Sequence, residues 1–244
     1  MRHESRVKIF LYVSFTVISC TQPIFSQGFT TTKHYKKPVV IYNAAAYRKS
    51  IITDSLKRMT ALQAFIPQLV VDLKYASKNN FTGQVLYKCP TAFARLAVAV
   101  ALKRINAELA LQNLGLKIFD AYRPFSVSEK MWNIVPDERY VANPAKGSGH
   151  NRGAAVDVTL IELSTEKEVE MPTAFDDFTE KAHHDYTALS RQVQENRSKL
   201  KNIMEKYGFV SLATEWWHYS LPDAATRFEL LDLDFKLLRN TLRQ

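Results

Sequence analysis

Four polar residues interrupt two otherwise apolar stretches. In "SGHNRGAAVDVTL" Asp157 lies between Val156 and Val158, and His150 precedes it by seven positions in a glycine-flanked loop. In "TEWWHYSL" Glu215 and His218 break an aromatic run. A carboxylate in the middle of a buried strand has to be paired, hydrogen-bonded or bound to metal, because burying a lone charge is costly. Two imidazoles and one carboxylate are a common protein ligand set for catalytic zinc, with a fourth position left for water. Such an ion lowers the pKa of its water towards neutrality and polarises a carbonyl. The metal needs only three of the four groups, so a carboxylate such as Glu215 is free to serve as general base and acid. Spacing alone does not decide the matter, since a lone His near a lone Asp equally suits a structural hydrogen-bonded pair.

These residues need a frame that brings positions 150, 157, 215 and 218 together. The alternation in "AAVDVTLIEL" argues for a strand. Glu215 and His218, three apart, fall on opposite faces of a regular strand, so their cooperation requires a bulge or a strand end. "LKIFDAYRP" reads as a buried strand over 116–119, broken by the restricted backbone before Pro124. "TAFARLAVAVALKRINAELALQNLG" reads as a buried helix stopped at Gly115, and "SRQVQENRSKLKNIMEKYG" as a second helix stopped at Gly208. "FIPQLVVDLKYASKNNFTG" gives a short strand and an Asn-rich turn, "SEKMW" a packed helix face, and "LLDLDF" an edge strand. The expected fold is α+β: a mainly antiparallel central sheet with helices packed on one side and the zinc site at the sheet.

The chain has 244 residues, 46% hydrophobic and 23% charged, the composition of a globular protein. Arg2, Arg6 and Lys8 precede an apolar run over 9–18, the order of a secretory leader and too short to span a bilayer. "VISC" resembles a lipobox, and lipidation at Cys20 would attach the protein to a membrane, each buried CH₂ contributing about 0.8 kcal/mol. The expected organisation is a leader over 1–27, a polar lead-in or tether over 28–54, and one domain over 55–244, exported to the periplasm or attached to an envelope membrane. Cys89 is the only other cysteine, so no disulfide framework is available. A net charge of +9 suits polyanionic surroundings such as a cell envelope. Scattered basic residues and the lack of a groove-reading motif argue against nucleic acid, and no obligate protein partner is indicated. Adjacent His183 and His184 are expected to make structural hydrogen bonds rather than hold a second metal. Trp216, Trp217 and Tyr219 are expected in the core and pocket wall.

The order Ser-x-His, Arg-Gly-x-Ala-x-Asp, Glu-x-x-His resembles the D-alanyl-D-alanine zinc metallopeptidases, and within them the vancomycin-resistance-type dipeptidase branch. The likeness covers about residues 73–235, through "LKYASKNNFTG", "DAYRP", "SGHNRGAAVDVTL", "FDDF", "HH" and "EWWHY". It implies one zinc per chain held by His150, Asp157 and His218, with Glu215 as catalytic base and Arg123 steadying the oxyanion, roles that suit a proton carrier and a permanently charged donor. It further implies that Asp120 orients Arg123, and that Ser148, Asp176, Tyr75 and Tyr87 line or support a small closed pocket for a D,D-dipeptide. Asp176 would either hold the substrate ammonium or cap a turn. The implied activity is zinc-dependent hydrolysis of D-alanyl-D-alanine to two D-alanines. Gly149 departs from the pattern, standing where a second serine is usual, and so does the leader, which points to wall turnover or scavenging. Two other readings compete: a D,D-carboxypeptidase acting on longer peptidoglycan peptides, and a wall-binding module without catalysis. Retention of both Glu215 and Arg123 argues against the second.

Overall fold

A computed structural model describes residues 38–242. In chain order the elements begin with β1 (Val40–Ile41), α1 (Ala44–Ser50), β2 (Met59–Ala61), α2 (Leu62–Phe65) and β3 (Val70–Val71). The middle of the chain supplies β4 (Phe93–Arg95), α3 (Leu96–Ala110), β5 (Leu114–Asp120), α4 (Phe125–Ile134) and β6 (Ala155–Glu162). The remainder is α5 (Arg191–Lys206), β7 (Val210–Leu212), β8 (Glu215–Ser220), α6 (Ala224–Arg227), β9 (Leu230–Leu231) and α7 (Phe235–Thr241).

The central sheet has the order β3-β5-β6-β8-β7. It is mixed, where a mainly antiparallel one was expected: β3 runs parallel to β5, while β5–β6, β6–β8 and β7–β8 are antiparallel. The chain between β3 and β5 includes β4 and α3, long enough for the crossover that a parallel pair needs. Local alternation carries no sign of strand direction, so this pairing had no signature in the sequence.

Alternation along β6 sorts its residues. Val156, Val158 and Leu160 are buried in one cluster with Leu102 and Ile105 of α3 and Leu200 and Met204 of α5, so these two helices share that face. Each fully buried aliphatic side chain of this kind contributes about 1.5–3 kcal/mol. Asp157 points to the opposite face by the period of two. Ser190 caps α5 by accepting from the Val193 amide, and Gly208 follows it at φ +90, as its helix-stopping role requires. Gly115, by contrast, lies inside β5; α3 ends at Ala110, and Asn113 takes the left-handed turn at φ 57.

Part of the expected lead-in belongs to the folded unit. β1 pairs parallel with β9, so the strand expected in "LLDLDF" is only Leu230–Leu231. Tyr47 on α1 is fully buried, and its hydroxyl accepts the Met59 amide at 2.6 Å. The leader, Cys20 and the start of the lead-in lie outside the described residues. Among the described residues no helix is long and apolar enough to cross a membrane, and Cys89 is an exposed free thiol.

Candidate active site

His150 begins a single 3-10 turn, His150–Arg152, closed by Gly153 at φ +66. A side chain at Gly153 would meet the Met59 sulfur and methyl at 2.8 Å, so both conformation and space call for glycine. Buried Arg95 holds this turn from behind, donating its amide to the Gly153 carbonyl at 2.8 Å and its Nε to the Arg152 carbonyl at 2.7 Å. His150 Nδ1 donates to the Ala121 carbonyl at 2.8 Å. A carbonyl only accepts, so the proton sits on Nδ1 and the lone pair of Nε2 is free for a metal.

Asp157 and His218 stand opposite each other in the β6–β8 ladder, on the face away from α3 and α5. His150 Nε2 lies 3.1 Å from His218 Nδ1 and 3.4 Å from Asp157 Oδ1, and His218 Nδ1 lies 2.9 Å from that oxygen. A tetrahedral zinc with bonds near 2.0–2.2 Å has donor-to-donor edges of roughly 3.3–3.5 Å. The triangle is close to that size, and its nitrogen and oxygen donors are ones that zinc accepts. Burial pushes the Asp157 carboxyl up, but the two imidazoles outweigh it and hold the group well below the usual carboxylate range, in the ionised form a metal needs.

Two irregularities bring further groups to this face. The β7–β8 register shifts between Ser211 and Leu212, so that Leu212 stands opposite Glu215 while Ser211 stands opposite Tyr219. The irregularity allows Glu215 and His218 to line one cavity despite their spacing of three. Burial pushes the Glu215 carboxyl up to about 7, near where a proton carrier is most effective at neutral pH. The second shift, in the β5–β6 pair, sets Asp120 opposite Asp157. Asp120 Oδ2 accepts from Arg123 Nε at 3.0 Å and Nη2 at 2.7 Å, and its Oδ1 accepts from Tyr87 at 2.6 Å. The Arg123 guanidinium lies 4.8 Å from the Tyr75 ring centre.

The cavity encloses about 790 Å³ and is lined by Arg123, Ser148, His150, Asp157, Asp176, Glu215, His218 and Tyr75, among others. Most of the expected site residues therefore converge on one space. Tyr87 does not line it; it is buried, and its hydroxyl donates a hydrogen bond to Asp120, the partner of Arg123, so its place is supporting. Ser148 accepts the Asn151 amide at 3.1 Å and sits on the cavity wall. Asp176 adopts φ 62 within a turn; its carboxylate accepts from the Tyr75 hydroxyl at 3.0 Å and the Phe81 amide at 3.5 Å. Burial, then the charge of Asp157, pushes the Asp176 carboxyl up to about 7. A cationic group beside it would relieve that penalty.

His183 lines the cavity, whereas the His184 ring nitrogens are buried with no hydrogen-bond partner among the described residues. Structural hydrogen bonding through the His184 side chain is thus not observed. Its backbone amide donates to Ala213 instead, and burial pushes its imidazole down to about 4. Asn151 escaped the sequence reading altogether. It is fully buried, and its amide donates to the Arg123 carbonyl at 2.9 Å and Ser128 at 2.8 Å while accepting the Ser148 amide. Nothing in an Asn after a His announces such a role.

The sequence model of the family described as D-Ala-D-Ala dipeptidase matches residues 55–236. The D-alanyl-D-alanine dipeptidase of Escherichia coli is 35% identical over 165 residues, covering 68% of this chain and 85% of that protein. The enzyme of the same name from Streptomyces coelicolor is 33% identical over 189 residues, covering 68% of this chain and 94% of that protein. A solved vancomycin-resistance D,D-pentapeptidase in complex with Zn(II) is 13% identical, covers 64% of this chain and 87% of that chain, and superposes with a TM-score of 0.36, too low to decide anything about this fold. Zinc is the cofactor of these peptidases, and among the described residues His150, Asp157 and His218 are the one group of donors placed to hold such an ion. By a match over most of its length, this chain belongs to the D-Ala-D-Ala dipeptidase family and is a peptidase.

Proposed function

We propose that the chain hydrolyses D-alanyl-D-alanine to two D-alanines, with His150, Asp157 and His218 holding one zinc. The observation that carries this reading is the donor triangle on the floor of a cavity that also contains Glu215, Arg123 and Asp176. When bound, zinc supplies a Lewis acid that makes water nucleophilic near neutral pH and polarises the scissile carbonyl. Glu215 takes the proton of the attacking water and passes it to the leaving amine nitrogen. Its elevated pKa suits both halves of that transfer. Arg123 donates to the oxygen on which charge develops; Asp120 engages Nε and Nη2, which leaves the Nη1 protons for that oxygen. Asp176 receives the substrate ammonium, and Ser148 and Tyr75 shape the wall around it.

Export by the leader, with or without lipidation of Cys20, would give the enzyme access to wall-derived dipeptides, a role in turnover or scavenging. The deciding experiment is alanine release by the purified zinc-loaded protein from D-Ala-D-Ala, beside a pentapeptide ending in the same pair. Release from the dipeptide alone supports the reading. Release from the pentapeptide means a D,D-carboxypeptidase, and silence on both removes the proposed substrate class.

A further inference from the structure

A second concavity shares none of the residues that line the catalytic cavity. It measures about 680 Å³, within the range of roughly 300–1,000 Å³ typical of small-molecule sites. α1, β2, α2 and the end of α7 surround it. Tyr47 and Met59, both fully buried, close its bottom, and Ile51, Ala64, Phe65 and Leu242 form apolar walls.

The rim is positive. Arg48 and Arg58 are exposed there, and the Lys103 ammonium lies 5.2 Å from the centre of the Phe65 ring. Among the described residues no acidic side chain lines the groove, and the Arg58 guanidinium has neither a hydrogen bond nor an ion pair. Arg58 and Thr60 are two apart in an extended stretch, which sends both side chains the same way. The Thr60 hydroxyl is covered, yet it too has no hydrogen-bond partner among the described residues. Leaving such a group unpaired carries a cost that an acceptor on a ligand would remove. A permanent cation beside an unused hydroxyl suits an anion, and the apolar bottom and walls suit hydrocarbon.

Both demands are met by one molecule with two unlike ends. A lipid in a bilayer presents its charged head outward and keeps its chains in the membrane, so it offers nothing to the apolar bottom of a concavity. A free amphiphile enters chain first and leaves its anion at the rim.

We propose that this groove is a second binding site, for a free acyl-chain carboxylate whose hydrocarbon lies on Tyr47, Met59 and Phe65 and whose anion meets Arg58 and Thr60. Such a site does not depend on which reaction the catalytic cavity performs.

The test is calorimetric titration of the full-length protein with octanoate, beside acetate as the anion without a chain and octanamide as the chain without a charge. One equivalent of octanoate should bind, at least tenfold more tightly than either control, and equally with and without zinc. Arg58→Glu should weaken octanoate at least tenfold by reversing the charge. Ala64→Trp should do the same by filling the space, and both variants should keep the zinc content and melting temperature of the wild type. Should either variant fail to fold, Arg58→Gln serves in its place and should give an intermediate loss. Octanoate binding that requires zinc, or that is unaltered in every folded variant, overturns the proposal by placing the ligand elsewhere. Equal affinity for octanoate and octanamide overturns it as well, as does the lack of any octanoate binding. Flotation with phosphatidylglycerol vesicles, abolished by Arg58→Glu in a protein that ignores octanoate, would assign the basic rim to a lipid surface instead.

Discussion

Asp120 stands opposite Asp157 across the β5–β6 pair, although Ile118, two residues earlier, stands opposite Val158. Continued in register, Asp120 would oppose Val156 and face α3 and α5. One extra residue in β5 moves it to the metal side, where it meets Arg123. A single bulge thus places the carboxylate that pairs with the guanidinium on the same face as Asp157, one of the three candidate metal donors.

Asp120→Ala should be severe. It leaves the Arg123 guanidinium buried without its partner, and breaking such a pair costs about 3–5 kcal/mol. A denaturation midpoint shifted by that amount, with a fall in kcat in the fraction that folds, is the expected result. Tyr87→Phe removes only one hydrogen bond to the same carboxylate and should cost about 1–3 kcal/mol. Equal stability of both variants with the wild type would remove Asp120 from the role of orienting Arg123.

Glu215→Ala should bind one equivalent of zinc yet lose about 10²–10⁴-fold in kcat, the usual contribution of a positioned acid–base group. Metal content and turnover have to be measured on the same sample. Near wild-type turnover would strip Glu215 of the proton-carrying role.

Removing the metal with a chelator should abolish turnover, and one equivalent of zinc should restore it. His218→Ala should weaken zinc binding strongly, since it takes away one of three protein donors. Zinc titration followed by activity reads both effects, and an His218→Ala protein with unaltered affinity would place the ion elsewhere.

Gly153→Ala forces a left-handed conformation on a residue with a side chain, at about 1–2 kcal/mol, and drives its Cβ into Met59. Lower stability should come with weaker zinc binding, because the same turn carries His150. Met59→Ala in the Gly153→Ala background should recover part of the zinc affinity by relieving the contact.

The half-buried His184, whose ring nitrogens are covered, makes stability depend on pH. Its folded-state pKa is pushed down to about 4 from an ordinary 6.5, so between these values the unfolded chain binds the proton that the folded chain refuses. Its contribution is complete above about pH 6.5 and is lost as pH falls towards 4. Denaturant midpoints at pH 7 and pH 5 should therefore differ more for the wild type than for His184→Leu. Equal differences would assign the acid sensitivity to other groups.

Asp157, Glu215 and His218 of the candidate site were legible because each is a polar side chain in an otherwise apolar stretch. Asp157 between two valines and His218 after two tryptophans are conspicuous, and the bulge needed to bring Glu215 beside His218 followed from their spacing. Arg123 became legible only through the resemblance, since an arginine before a proline has no signature of its own. The support was hidden. Tyr87 reads as an ordinary aromatic, and only the β5 bulge, fixed by tertiary pairing, shows that it holds Asp120. The strand at β3 was expected but its parallel pairing with β5 was not, and β1, two residues long, carries no periodicity to detect; both pair with partners distant in sequence.

The pairing of β1 with β9 also fixes where the protein can be cut. The family match begins at residue 55, and an expression boundary drawn there would discard β1 and α1. That trimmed protein would lose the hydroxyl that accepts the Met59 amide and expose the edge of β9, an open strand that invites pairing between copies. Met59 also supports the turn that carries His150. The folded unit thus begins before the region that matches the family, and fusion partners or tags belong upstream of residue 40.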